Sequence, residues 1–154
     1  VQHYDKKHLF TFGGEHKRFT AGTERVVVNF RGVRILLEIC YDLRFPVWAR
    51  NLGDYDMILY VASWPTPRVD AWSALLRARA IENQCYVAGV NRMGVDPACE
   101  YSGGSAIIDP YGKTIAECPW SRESAVSADI DMEALQAFRK KFPVLDDADP
   151  FTLI

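Results

Sequence analysis

The sequence predicts a layered α/β fold. Short segments rich in apolar and β-branched residues alternate along the chain with segments of helical spacing, which is typical of such folds. The composition is that of a globular domain, with 49% hydrophobic and 25% charged residues. No internal repeat or low-complexity segment interrupts the pattern, so we expect one domain over residues 1–154.

These patterns predict strands at residues 25–30, 33–40, 56–63, 85–90, 105–109, 114–118 and 124–130. They predict helices at 46–52, 70–83 and 131–141. Asp109-Pro110-Tyr111-Gly112 is a turn signal that joins two of the strands into a hairpin. After residue 142, the acidic run predicts a solvated tail or subunit arm over 143–154.

The apolar face of the second helix is predicted to pack in the core. Its members recur at helical spacing and are Trp72, Leu75, Leu76, Arg79 and Ala80. Core packing is therefore preferred to a binding role for this aromatic stripe.

Charge and cysteine usage exclude several classes of function. The net charge is −2 with no basic cluster, which argues against a nucleic-acid partner. No apolar run approaches the roughly 20 residues that cross a bilayer, and no signal peptide is recognisable, so we expect no membrane partner and a cytoplasmic location. The four cysteines are expected to be reduced thiols. The three histidines show no metal-ligand spacing, and we expect no metal.

Cys40 is the candidate nucleophile. It ends an apolar run and is followed by a tight turn and by Pro46, which suits the first turn of a helix. Strand, turn and helix N-terminus make a nucleophile elbow, in which backbone N–H groups and the helix dipole favour a thiolate and an oxyanion. From Cys40 alone, an inert buried thiol is an open alternative.

The neighbouring sequence narrows this choice. ICYDLRFP at 39–46 resembles the nucleophile motif of the nitrilase superfamily, the carbon-nitrogen hydrolases, and most of all their ω-amidase-like branch. The resemblance continues in YDKKHLF at 4–10, YVASWP at 60–65, RARAIEN at 77–83 and GSAIIDPYG at 104–112. It implies part of a four-layer α-β-β-α sandwich. It also implies a cysteine-dependent hydrolase that needs no cofactor and cleaves the terminal amide of a small dicarboxylate monoamide through a thioester.

The resemblance implies a lysine and a second glutamate beside Cys40. Lys6 occupies the lysine position of the family motif, and alternation along a strand puts Lys7 on the opposite side. The Lys6 ammonium and the backbone N–H of Tyr41 are expected to hold the oxyanion. Glu15 stands where the family often has a glutamate that positions the lysine and the substrate. A surface carboxylate on a glycine-rich loop is the alternative for Glu15.

Four residues of the matching motifs are expected to support the site. Asp42 and Arg44 flank the elbow and are expected to fix it by charge-assisted hydrogen bonds. Arg79 and Glu82, three positions apart on a helix, are expected to pair.

Trp64 follows a strand and is the candidate pocket wall, because strand ends face the substrate cleft in layered sheets. Arg68 and Arg92 are candidates to meet a substrate carboxylate, although a lone arginine in a loop is usually only solvated.

The family's general-base glutamate belongs to a segment ahead of Tyr4 that this sequence does not contain. We therefore expect the chain to cover only the C-terminal half of such a subunit, and to turn over little substrate without the missing N-terminal half that completes the fold. A homodimer or larger assembly is expected by resemblance.

Two other functions stay open. One is an inert truncated form or a non-catalytic binding module. The other is a Cys-His protease, which is disfavoured because the motif puts a lysine where an imidazole base is required.

Overall fold

The computed structural model describes residues 2–152, which form eight strands and three α-helices. The strands are β1 (Val27–Phe30), β2 (Val33–Ile39), β3 (Met57–Ala62), β4 (Tyr86–Asn91), β5 (Met93–Val95), β6 (Glu100–Ser102), β7 (Ala106–Ile108) and β8 (Thr114–Glu117). The helices are α1 (Pro46–Ala49), α2 (Val69–Glu82) and α3 (Met132–Lys141). Six strands make one mixed sheet in the order β1-β2-β3-β4-β7-β8, and β5 pairs with β6 in a separate hairpin.

The centre of the sheet is parallel. β2 pairs with β3 and β3 with β4 in parallel, whereas β1, β7 and β8 join in antiparallel pairs. Parallel neighbours need a crossover connection, which α1 and α2 supply. The carboxyl ends of β2, β3 and β4 therefore meet at one edge of the sheet.

The core lies between the sheet and α2. Trp72, Leu76 and Ala80 of α2 are buried, which confirms the predicted core face of this helix. Gly89 on β4 lets the helix approach, because a Cβ there would collide with Leu76 and Trp72. The opposite face of the sheet is less covered, with Val90 about half exposed. A mixed sheet with helices confirms the predicted α/β class, and it is consistent with part of a nitrilase-like sandwich.

Two local predictions were wrong. Residues 124–130 form no strand, because none of the described strands pairs with this mostly exposed segment. The first helix ends at Ala49 instead of residue 52. The helix ends here because Asn51 makes hydrogen bonds outside it. Its side-chain Nδ2 donates to the carbonyl oxygens of Tyr55 (3.1 Å) and Asn83 (3.0 Å).

The hairpin turn was predicted correctly. Asp109–Gly112 connects the antiparallel strands β7 and β8, and the Asp109 carboxylate accepts hydrogen bonds from the Tyr111 and Lys113 amides at 2.9 Å. The β5–β6 hairpin was not predicted, because three-residue strands are too short to show a period.

The predicted tail includes a 3₁₀ turn at Val144–Asp147, and its residues 153 and 154 lie outside the described residues. Its role as a tail or subunit arm stays a prediction. None of the helices within residues 2–152 combines the length and the apolar character that crossing a bilayer requires.

Candidate active site

Cys40 stands at the carboxyl end of β2, in a sharp strand-to-helix turn. It begins the 3₁₀ turn Cys40–Arg44, and its φ of 49° lies in the left-handed region. A non-glycine residue held there costs about 1–3 kcal/mol, and such strain clusters at functional sites. The Cys40 Sγ lies 3.8 Å from the carbonyl oxygen of Ser63, just beyond the end of β3. Two parallel strand ends thus meet at the thiol.

A cavity of about 620 Å³ opens at this edge of the sheet. The structure brings seven of the predicted site residues together in its wall. They are Cys40, Lys6, Glu15, Tyr41, Trp64, Arg44 and Arg68. The volume suits a small-molecule ligand, since ligand pockets typically measure about 300–1,000 Å³.

Lys6 and Glu15 form an ion pair in the cavity wall. The Lys6 Nζ lies 2.7 and 2.9 Å from the two Glu15 carboxylate oxygens, and only 12% of the lysine side chain is exposed. The Phe10 amide also donates to Glu15, at 2.8 Å. Burial raises the pKa of Glu15, but the hydrogen bonds from Lys6 and Phe10 outweigh this and leave the pKa below its ordinary value. Glu15 is therefore ionised at neutral pH, and its carboxylate holds the Lys6 ammonium in the cavity wall.

The strand predicted around Lys6 is not formed. Residues 4–10 are irregular, and tertiary contacts separate the two lysines instead of strand alternation. Lys6 lines the cavity, whereas the Lys7 ammonium lies 5.0 Å from the centre of the Trp48 ring.

Asp42 ties the lysine segment to the elbow. Its carboxylate is fully buried and accepts hydrogen bonds from the Tyr4 hydroxyl (2.9 Å), the His8 amide (2.8 Å) and the Ile39 amide (3.1 Å). The His8 Nδ1 lies 2.9 Å from the same carboxylate. Because Tyr4 and His8 flank Lys6, this one side chain sets where the ammonium lies relative to Cys40.

The structure does not support a thiolate at Cys40. Burial raises the pKa of the thiol above its ordinary value, and the nearby Lys6 charge offsets this only in part. The elbow is present, but the loss of water outweighs the favourable charges around it. Cys40 is therefore a neutral thiol at neutral pH, and nucleophilic attack must be accompanied by removal of its proton.

Arg44 differs from its predicted role. It forms no hydrogen bond to the elbow within residues 2–152, and its guanidinium lies 4.9 Å from the centre of the Trp64 ring. Arg79 supports the elbow from α2 instead, because its Nη2 donates to the Leu43 carbonyl oxygen at 2.6 Å. Arg79 also pairs with Glu82 at 2.8 Å, at the predicted spacing.

Comparison with models of known protein families shows where the chain belongs. The family model for carbon-nitrogen hydrolases matches residues 1–140. The chain belongs to the carbon-nitrogen hydrolase family. The resemblance inferred from the sequence is thereby confirmed.

Two curated relatives place it near the amidases of this family. It is 54% identical to omega-amidase YafV of Escherichia coli K12, over 99% of this chain and 60% of that protein. It is 42% identical to the 2-oxoglutaramate amidase of Bacillus subtilis, over 96% of this chain and 57% of that protein. These matches agree with the predicted ω-amidase-like branch.

A solved relative shares the fold of this carbon-nitrogen hydrolase. The CN-hydrolase superfamily protein XC1258 of Xanthomonas campestris, whose active site carries an arsenic adduct, superimposes with a TM-score of 0.95 at 48% identity. The match covers 99% of this chain and 60% of that one. The chain thus spans about 60% of these relatives, more than the half that was expected. The matches support neither a missing N-terminal half nor the expected loss of turnover.

Asn91 is a site residue that the sequence analysis missed. Its Oδ1 accepts from the Trp64 amide at 2.7 Å, and its Nδ2 donates to the carbonyl oxygens of Trp64 (2.9 Å) and Gly103 (2.7 Å). Asn91 therefore holds the segment whose Ser63 carbonyl meets the thiol. The available signal was a polar residue directly after a buried apolar strand.

The histidines lie away from the cavity wall of this carbon-nitrogen hydrolase. His8 stacks on Phe45, with ring centres 3.7 Å apart, and contacts Asp42. Within residues 2–152, no group of three or more histidine, cysteine or acidic side chains could hold a metal ion. The same part of the chain contains four free cysteines.

Proposed function

We propose that this carbon-nitrogen hydrolase is an ω-amidase-like enzyme. It hydrolyses the terminal amide of a small dicarboxylate monoamide to the acid and ammonia. The shared cavity of the Cys40 thiol and the Lys6 ammonium carries the proposal. The names of the relatives, an omega-amidase at 54% identity and a 2-oxoglutaramate amidase at 42%, support the substrate class.

The reaction begins with attack of the Cys40 sulfur on the amide carbonyl carbon. The S–C bond forms while the thiol proton leaves the sulfur, because the pKa of this buried thiol is raised. The proton lost by the sulfur is transferred to the amide nitrogen before the C–N bond breaks, so the nitrogen departs as neutral ammonia. Water then hydrolyses the thioester, releases the carboxylic acid and restores the thiol.

The Lys6 ammonium and the Tyr41 backbone N–H stabilise the oxyanion of each tetrahedral intermediate. Tyr41 lies in the first turn of the 3₁₀ turn Cys40–Arg44, where no intrahelical carbonyl reaches its N–H. Lys6 is directed by Glu15, which acts as a positioning residue. Removing one oxyanion donor typically costs about 10²–10³-fold in turnover.

A Cys-His protease is less well supported. His8 contacts the elbow, where its Nδ1 lies 2.9 Å from the Asp42 carboxylate. No histidine within residues 2–152 lines the cavity. The lysine in the cavity favours the amidase chemistry.

Ammonia release tests the proposal. The protein is given succinamate, a simple nitrile and an N-carbamoyl amino acid, and the ammonia formed is measured. We expect release from succinamate, no release by the Cys40→Ala variant, and an acid-stable acyl adduct on Cys40 by mass spectrometry after rapid quenching. Absence of ammonia from succinamate, or full activity of Cys40→Ala, would contradict the proposal.

The lysine is tested against its neighbour. Lys6→Met is expected to lower kcat by roughly 10²-fold or more, because it removes an oxyanion donor. Lys7→Met is the matched control and is expected to change kcat little, since Lys7 stacks on Trp48 outside the cavity. A larger effect of Lys7→Met would exclude Lys6 as the oxyanion donor.

We also propose that the enzyme works in the cytoplasm as a homo-oligomer. The free cysteines of the described chain support a reducing compartment. Light scattering coupled to size-exclusion chromatography tests the assembly, and a monomer at micromolar concentration would contradict it.

A further inference from the structure

Lys6 belongs to a loop of the chain that is closed at its base. There, the Gly22 backbone N–H donates to the Lys6 carbonyl oxygen at 2.9 Å. Across the loop, the Lys6 Nζ lies 2.7 and 2.9 Å from the two Glu15 carboxylate oxygens. Residues 6–22 are thus fastened at two points, and Lys6 takes part in both. The position of the ammonium therefore depends on the backbone at the base as well as on its carboxylate partner.

Two backbone segments are in direct contact at the base of this loop. A Cβ on Gly22 would overlap with the Asp5 carbonyl oxygen and would lie only 2.8 Å from the Asp5 carbonyl carbon. Both are main-chain atoms, so no change of rotamer relieves the contact. Since non-bonded carbon atoms pack about 3.5–4.0 Å apart, the segments at Asp5 and Gly22 would have to separate by roughly 1 Å. Glycine, which has no Cβ, allows the approach observed.

The backbone conformation of Gly22 does not itself require glycine. Its φ lies outside the left-handed region, unlike the φ of 85° at Gly32. The effect of an alanine at position 22 would therefore come from its contact with Asp5 and not from dihedral strain. Lys6 directly follows Asp5, and Glu15 lies in the loop that Gly22 ends. Whichever segment moves, one member of the Lys6–Glu15 pair is displaced.

We propose that Gly22 is a positioning residue, which sets where the Lys6 ammonium lies in the cavity by allowing the backbone of its segment to approach Asp5. This inference rests on the proposed function, in which Lys6 stabilises the oxyanion. A misplacement of about 1 Å can lower turnover by about 10²-fold, because oxyanion stabilisation depends on where the donor is held.

Gly22→Ala is expected to lower kcat for succinamate by about 10–100-fold and to change KM by less than about threefold. A double variant separates positioning from general damage. If Gly22 acts through Lys6, adding Gly22→Ala to Lys6→Met should change kcat by less than about twofold, because the positioned group is already gone. Losses in kcat that multiply in the double variant would overturn the proposal.

Gly32→Ala is the matched control. Gly32 lies in the turn between β1 and β2, and within residues 2–152 no heavy atom beyond its chain neighbours lies within 4 Å of the position of a Cβ there. The substitution strains the left-handed backbone and should lower the urea midpoint, but it should leave kcat within about twofold of the unsubstituted protein. Equal losses of kcat in Gly32→Ala and Gly22→Ala would contradict a role through Lys6.

Alkylation of Cys40 tests the positioning without turnover. The Lys6 charge lowers the pKa of the Cys40 thiol, so Gly22→Ala should raise the pH midpoint of iodoacetamide labelling, as Lys6→Met does. If no amide is hydrolysed but this midpoint rises, the proposed function fails and the positioning stands. A midpoint unchanged by Gly22→Ala would overturn the positioning.

Hydrogen exchange tests the contact in the unsubstituted protein and does not depend on the folding of a variant. The Gly22 amide, bonded to Lys6, should exchange at least about 10-fold more slowly than the amides of Ala21 and Thr23, which belong to exposed residues. NMR measures the three rates. Exchange of the Gly22 amide as fast as that of its neighbours would show that the loop is not closed there, and the proposal would be overturned.

Discussion

At Cys40, burial and backbone strain act on the same residue. The left-handed φ of 49° turns the thiol towards the cavity, while loss of water raises its pKa. The elbow and Lys6, which were predicted to stabilise a thiolate, are both present. The thiol is still protonated at neutral pH, because burial raises its pKa more than Lys6 lowers it. In the proposed reaction, a protonated Cys40 also supplies the proton that departs with ammonia.

The alkylation rate of Cys40 is expected to rise steeply with pH above about 8.5, the ordinary pKa of a cysteine. A raised pKa keeps the reactive thiolate scarce below that value. Lys6→Met should move the midpoint higher, because Lys6 lowers the pKa of this thiol. Iodoacetamide labelling across pH, read by peptide mass spectrometry, measures the midpoint.

Cys85 is the internal reference for this experiment. It is fully buried, and its burial raises its pKa, so it should stay unlabelled in the folded protein. A Cys40 midpoint below pH 8 would show that the elbow stabilises the thiolate after all.

At the scale of elements, the site is built by segments that share no regular structure. The lysine segment, the elbow after β2 and the loop after β3 are joined by buried side chains. Asp42 fixes the first to the second, and Asn91 fixes the third to the end of β4. The positions of the reactive groups therefore depend on a few hydrogen bonds of high sequence separation.

Asp42→Asn is expected to destabilise the protein by about 2–4 kcal/mol, because four donors converge on this buried carboxylate and an amide cannot accept them all. Residues 4–10 should exchange their amide hydrogens faster, since they lose their attachment to the elbow. Urea unfolding and hydrogen exchange by mass spectrometry measure the two effects.

Asp54→Asn is the matched control. Its carboxylate pairs with Arg25 at 3.1 Å and is partly exposed, so the substitution should cost less than about 1 kcal/mol. Equal costs for the two variants, with unchanged exchange over residues 4–10, would refute the attachment.

At the scale of the whole molecule, two buried carboxyl groups give opposite dependences on pH. Asp56 bonds to Arg34 at 2.8 Å and Arg139 at 2.9 Å, which joins the sheet to α3. Burial raises the pKa of Asp56, but these partners outweigh it and hold the pKa below its ordinary value. Glu38 lies under the elbow without a hydrogen-bond partner for either oxygen within the described residues. Burial, with a smaller effect of Asp42, raises its pKa to about 9.

Glu38→Gln is expected to stabilise the protein at pH 8 and to change stability little at pH 4. In the unfolded chain a glutamate loses its proton near pH 4.3. The folded chain keeps the proton of Glu38 up to about pH 9, so the unsubstituted protein loses stability as the pH rises between these values. The gain at pH 8 should be on the order of 5 kcal/mol, because each pH unit between about 4.3 and 8 contributes about 1.4 kcal/mol.

Urea unfolding at pH 4, 6 and 8 measures this gain, and the control is Glu117→Gln, which changes the exposed last residue of the edge strand β8. A gain independent of pH would mean that Glu38 is ionised in the folded protein.

Much of the site was accessible from the sequence. Local patterns predicted the core face of α2, the turn at Asp109–Gly112 and the strand that ends at Cys40, because each depends on side-chain period or on the conformational preferences of a few neighbouring residues. The motif ICYDLRFP identified the family. The strand predicted at 124–130 was wrong. A strand needs a hydrogen-bonded neighbouring strand, and the alternation of residues in the sequence does not show whether one is present.

The sequence by itself thus determined the family and the central strands and helices, and it singled out Cys40 and Lys6 as the proposed nucleophile and its lysine. Only the tertiary structure decided that Cys40 is protonated, that Arg44 stacks on Trp64, and that Asn91 holds the loop beside the thiol. A pKa depends on burial and on charges brought from distant segments, and a hydrogen bond depends on distances across the fold. Neither quantity is encoded in residues that are adjacent in the chain.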